Sequence, residues 1–132
     1  MWKKIVCSLN KRMVMLGLVT FAASSQAHHS TAIYDSEHPL ELAGKVVEWK
    51  FTNPHCIIML DVVGADGKVE RWGVEGGNTS GLFRTGWTPA TLKPGDEIML
   101  TVRPLRSGAP GGNYSNPRWK NGDAITPKTA GR

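Results

Sequence analysis

The sequence predicts an all-β domain with one short helix, and three observations carry that expectation. Apolar and polar residues alternate at period two in separate stretches, the pattern of strands with one buried face. Turn-forming residues divide those stretches at Asn53-Pro54, Ala65-Asp66-Gly67 and Leu92-Lys93-Pro94-Gly95-Asp96. One segment, Asn78 to Gly86, opens on a capping residue and closes on a glycine, which suits one or two helical turns.

The elements follow in order. Glu41 to Thr52 is the first strand, with Val47, Trp49 and Phe51 on one face and Glu48 and Lys50 on the other. Asn53-Pro54 turns the chain into a second strand, His55 to Val63. Asp66-Gly67 is a hairpin signal, and Lys68 to Glu75 returns as the third strand. After the helical segment, Glu97 to Pro104 forms the fourth. Ser107 to Asn116, rich in Gly, Pro, Ser and Asn, reads as a mobile loop. A last strand is expected near Arg118 to Ile125, folded at Asn121-Gly122. Three strands, a short helix and two strands is the order of a small five-stranded OB-like barrel. Its expected core is Val47, Trp49, Phe51, Ile58, Leu60, Val62, Trp72, Val74, Ile98, Leu100 and Val102. A plain antiparallel sandwich is the alternative.

The N-terminus predicts export. Lys3, Lys4, Lys11 and Arg12 precede an apolar stretch of 11 residues, Met13 to Ala23. Ser25 and Ala27 then match a signal-peptidase site, so residues 1–27 read as a signal peptide cleaved after Ala27. Eleven apolar residues fall short of the roughly 20 that span a bilayer. The mature chain is therefore expected to be periplasmic or secreted and not membrane-spanning. Residues 28–40 form a polar arm, 41–126 the barrel and 127–132 a disordered tail.

Cleavage changes the charge balance. The whole chain has 16 Lys and Arg against 11 Asp and Glu, a net of +5. Four basic residues and no acidic ones leave with the signal, so the mature chain carries 12 against 11, a net of +1. So small a charge offers little attraction to phosphate, and export removes most such partners; no nucleic acid is expected. Cys7 also leaves, and Cys56 alone cannot form an intramolecular disulfide. Alternation places Cys56 with Ile58 and Leu60, facing away from His55, so it reads as a buried hydrophobe and not a ligand.

Histidine is the one concentrated reactive type. His28, His29, His38 and His55 are the four in the chain, all near the start of the mature protein. With His28 first, its free amine and ring form a chelating pair, and a second imidazole completes a nitrogen set suited to copper(II). His55, behind Asn53-Pro54, is rigidly placed to supply it. The competing reading makes His28 and His29 a solvated arm and His55 a turn cap. No catalytic arrangement is visible, since Ser30, His29 and Asp35 crowd one short arm. A copper oxidase would need a substrate platform that the sequence does not display.

The order His28-His29-Ser30, Gly44-x-Val46, Asn53-Pro54-His55, Asp66-Gly67, Trp72-x-Val74-Glu75, Gly86-Trp87, Leu92-x-Pro94-Gly95-Asp96 and the Gly-rich loop resembles a bacterial family of small exported proteins, domain of unknown function 6152. The resemblance covers nearly all of the mature chain. It implies a barrel and carries no activity with it. Two functional expectations remain. One is a binding module for a metal ion or small ligand at the His arm. The other is an accessory protein that contacts an envelope protein through its sheet edge and its Gly/Pro loop.

Overall fold

The computed structural model describes residues 31–125. The proposed signal peptide, His28, His29 and the tail from 126 onward lie outside the described residues. The strands are β1 Leu40–Lys50, β2 Ile57–Val63, β3 Val69–Glu75, β4 Glu97–Pro104 and β5 Gly111–Trp119. A 3-10 turn at Thr31–Ile33 precedes them, and α1, Thr79–Arg84, stands between β3 and β4. They close into a barrel in the order β1-β2-β3-β5-β4, with β4 returning to β1. Only β3 and β5 run parallel; the other pairs are antiparallel. The five-stranded OB-like barrel read from the sequence is the fold, with β4 on its expected boundaries.

β1 is long because it serves two neighbours. Leu40 to Lys45 pair with β4, and Lys45 to Lys50 pair with β2. Where the strand passes between them, Gly44 lies close to β2: a Cβ there would sit 2.9 Å from the Asp61 carbonyl oxygen. Two residues later the register slips, with Val46 opposite Leu60 but Glu48 opposite Met59. Val47 is thus an extra, bulged residue. This corrects the expected core, since Val46 is 1% exposed and Val47 only half-buried. Before the bulge the even positions Leu42 and Val46 face inward; after it Trp49 and Phe51 do.

The second correction concerns the Gly-rich segment. Ser107 to Asn116 is not a loop throughout, because β5 begins at Gly111 and extends to Trp119. Its glycines fit a tight seam. A Cβ on Gly112 would lie 2.4 Å from the Arg103 carbonyl oxygen, and one on Gly111 would lie 3.1 Å from that of Gly73. Side chains are excluded there by backbone on adjacent strands, so the segment shows no alternation although it is a strand. Asn116, at φ 49°, marks a second slip, where Met99 pairs with Arg118 but Thr101 with Ser115. The expected fold at Asn121-Gly122 is present: the Gly122 N–H donates to Trp119 O (2.8 Å) and the Trp119 N–H to Asp123 O (2.8 Å).

The barrel interior holds Ile58, Leu60, Val74, Ile98, Leu100 and Val102, each 0% exposed, with Val46 and Tyr114. Burying such side chains contributes about 1.5–3 kcal/mol each. Val62 and Trp72, expected in this core, are only partly buried against it. Leu42, Trp87, Leu92 and Ile125 complete it. At α1 the chain is capped by Asn78, whose side chain accepts from the Gly81 N–H at 2.7 Å. Trp87, beyond the helix, meets Trp49 edge-on at 5.7 Å, and the Trp49 indole donates to Thr88 O at 3.0 Å. Among the described residues no helix is long and apolar enough to cross a membrane.

Candidate functional site

The outer face of β2 and β3 is where the reactive side chains meet. Alternation turns Ile58 and Leu60 inward, so Ile57 and Met59 face out, with Gly73 and Glu75 as their register partners on β3. His55 precedes β2 on this outward side, half-buried, behind a cis Asn53-Pro54 bond. Cys56 turns the other way and is 0% exposed, with its Sγ 3.6 Å from Thr52 O. Removal from water raises its thiol pKa. The expected separation of Cys56 from His55 is therefore present.

Glu75 ends β3 as the hub of the site. Its Oε2 lies 3.2 Å from His55 Nδ1. Its Oε1 accepts a hydrogen bond from the Tyr34 hydroxyl. Its backbone oxygen accepts from Asn113 Nδ2 on β5 at 3.1 Å, and Arg103 on β4 donates to Asn113 Oδ1. Burial, followed by the hydrogen bond to Glu75 and its negative charge, pushes the Tyr34 pKa up to about 12, while Arg103 acts in the opposite direction. The side chains of His55 and Glu75 are 30% and 29% exposed, so a ligand can reach both.

Tyr34 belongs to the segment expected to be an irregular polar arm. The structure instead lays residues 31–35 along the β4–β5 connection. Tyr34 bridges to Leu105, the Asp35 N–H donates to Pro104 O at 2.8 Å, and the Arg106 N–H donates to Ile33 O at 2.9 Å. Arg106 Nε adds a bond to Ala32 O at 3.1 Å. Ile33 and Tyr34 so form one wall of a groove of about 390 Å³, floored by Ile57, Met59, Gly73, Leu105 and Gly112, with Glu75 at its polar edge.

The four candidate histidines fare differently. His28 and His29 lie outside the described residues. His38 sits in an exposed turn, its Nδ1 2.9 Å from Asp35 Oδ2, while Asp35 Oδ1 accepts from the Glu37 and His38 amides. That hydrogen bond lowers the Asp35 pKa. Of the two described histidines, His55 and not His38 joins the Tyr34–Glu75 cluster. Among the described residues no group of three or more His, Cys, Asp or Glu side chains gathers in a way that would hold a metal ion.

Sequence reasoning missed Tyr34 and Glu75. Glu75 before Gly76-Gly77 reads as a solvated strand end, and Tyr34 as part of the polar arm. The available signal was Tyr34 itself: a large aromatic ring beside Ile33 in a polar segment needs a surface to cover it.

A family model described as a family of unknown function, DUF6152, matches residues 15–115, a span that includes Tyr34, His55, Glu75 and Asn113. No curated protein and no solved structure matches the chain. With the model covering far more than half of the sequence, the chain belongs to the family of unknown function DUF6152.

Proposed function

We propose that the protein is exported, is cleaved after Ala27, and acts as a metal-binding module that holds one copper(II) ion between its new N-terminus and His55. The ligands are the His28 amine, the His28 ring and the His55 ring, with His29 or His38 as a substitute. The supporting observation is the shared carboxylate of Glu75, which brings the root of the arm, Tyr34, to the same point as His55. From Tyr34 back to His28 is six residues, which extend at most about 20 Å. Docking at residues 31–35 also lowers the cost of the site. Ordering a free residue costs about 1–2 kcal/mol, and these residues are already held by the barrel. Copper(II) stands highest among divalent first-row metals for such nitrogen donors.

The test compares copper(II) titrations of protein with its native mature N-terminus and protein carrying one residue ahead of His28. Displacing the chelating amine weakens binding sharply and leaves the barrel folded. Equal affinity in the two proteins overturns the N-terminal site. Intact-mass measurement of secreted protein checks the cleavage; a species retaining residues 1–27 overturns both claims.

A second reading has its own observation. β3 pairs with β5 only over Gly73 to Glu75, and the exposed cross-strand pair Val63 and Val69 lies beyond that seam. An accessory protein that contacts an envelope partner would use this stretch of β3, together with the short turn before Gly111. Metal analysis of protein purified with its native N-terminus separates the readings, because a contact protein without a small ligand carries no stoichiometric copper.

A further inference from the structure

We propose that the cleft between the end of β1 and α1 is a binding site for a small aryl carboxylate. The cleft holds about 500 Å³ and is lined by Phe51, Thr79, Ser80, Phe83 and Arg84, a size in the range of small-ligand pockets. All but Phe51 stand on α1, and their spacing brings them together. Thr79 and Phe83 are one turn apart, as are Ser80 and Arg84, so the two pairs lie side by side. Leu82 packs α1 against the core, and Phe83 beside it is left 65% exposed. Phe51 forms the other wall, its ring backed by Trp49 at 5.7 Å. Asn53 ties the walls together: its Oδ1 accepts from the Thr79 N–H at 3.1 Å and from the Thr79 hydroxyl at 2.8 Å. The cleft is therefore formed before any ligand arrives.

Charge selects the occupant. Arg84 is exposed and makes no hydrogen bond or ion pair among the described residues. From Gly76 to Gly95 the chain holds Arg84 and Lys93 and no Asp or Glu. On β1, Glu48 is already paired with Lys50 at 3.4 Å. An anion entering the cleft thus meets one uncompensated cation. A guanidinium presents two parallel N–H groups, which match the two oxygens of a carboxylate. The Ser80 hydroxyl, also unpartnered among the described residues, supplies a further donor one helical turn away. A single cation suits a monoanion; a phosphate dianion would leave charge uncancelled against the Phe51 and Phe83 rings. Those rings favour a flat apolar body, which they meet stacked or edge-on. The site needs no metal ion and no residue before Thr31.

Naphthoate is the probe, titrated into the purified protein and read by amide NMR. Shifts should gather at Phe51, Ser80, Phe83 and Arg84. Naphthamide keeps the rings and loses the charge, so it should bind about tenfold more weakly. Arg84→Gln should weaken naphthoate by a similar factor. Phe83→Ser should weaken naphthoate and naphthamide alike, by about tenfold. Its urea midpoint should stay in place, since so exposed a side chain adds little to stability. Shifts centred elsewhere, or equal naphthoate affinity in wild type and Arg84→Gln, overturn the proposal. So does acetate binding as tightly as naphthoate, which leaves the rings no role. Binding to anionic phosphatidylglycerol vesicles, or self-association that Phe83→Ser abolishes, each without a naphthoate response, gives the cleft another occupant and overturns it too.

Discussion

The ring of Tyr114 lies against the backbone of Gly76: a Cβ on Gly76 would fall 2.5 Å from Cε1 and Cζ of the ring and 2.6 Å from its oxygen. Tyr114 is 8% exposed and packed in the core, so its ring has little room to retreat. Gly76→Ala should cost about 1–3 kcal/mol, the usual penalty of overpacking. Urea unfolding measures it. A change within about 0.5 kcal/mol, as at an ordinary surface site, would show that the ring yields.

The same side chain makes the opposite prediction at its tip. The Tyr114 hydroxyl is buried and has no hydrogen-bond partner among the described residues. A buried hydroxyl left unsatisfied costs about 1–3 kcal/mol. Tyr114→Phe should therefore hold or raise the melting temperature. A clear fall would mean that the hydroxyl is satisfied in solution.

Alkaline stability follows from the two tyrosines, the only ones in the chain. Burial raises both pKa values, that of Tyr34 from 10.0 to about 12 and that of Tyr114 in the same direction. The folded state thus keeps its protons where the unfolded chain loses them. The contribution is complete below pH 10 and is lost as pH rises from there through about 12 for Tyr34. Tyr34→Phe should flatten that part of the decline in stability, measured by urea midpoints at several pH values. An identical alkaline slope in wild type and variant would show that Tyr34 ionises as freely folded as unfolded.

Cys56 provides a test of the inner face. Being 0% exposed, with a pKa raised by burial, its thiol should react with a labelling reagent only as the protein unfolds. Cys56→Ala should cost about 1 kcal/mol, below a typical Leu→Ala loss because fewer atoms leave the core. Rapid labelling of native protein would place the side chain on the wrong side of the sheet.

The strands that were legible in the sequence are those whose side chains do the packing. β4 could be read to the residue because Ile98, Leu100 and Val102 alternate without a break, each 0% exposed. β5 was hidden because its first two residues are glycines held by backbone proximity, and a position without a side chain shows no alternation. Val46 was hidden by a bulge, which a period-two reading cannot register. The site was half legible. His55 stood out as a reactive residue behind a rigid turn. Glu75 and Tyr34 acquire their role only through a contact across 41 residues of chain, which no local pattern encodes.

The bulge at Val47 also makes the length of β1 negotiable at a single point. Every other residue between Leu40 and Lys50 is locked to a face, so removing one would turn all that follow inside out and bring Trp49 and Phe51 to the solvent side. Val47 alone is supernumerary: Val46 and Glu48 stand opposite consecutive residues of β2, and joining them directly preserves the phase on both sides. Among relatives of this chain, single-residue gaps within the first strand should fall at this position, where the sequence can gain or lose a residue without exchanging its interior for its exterior.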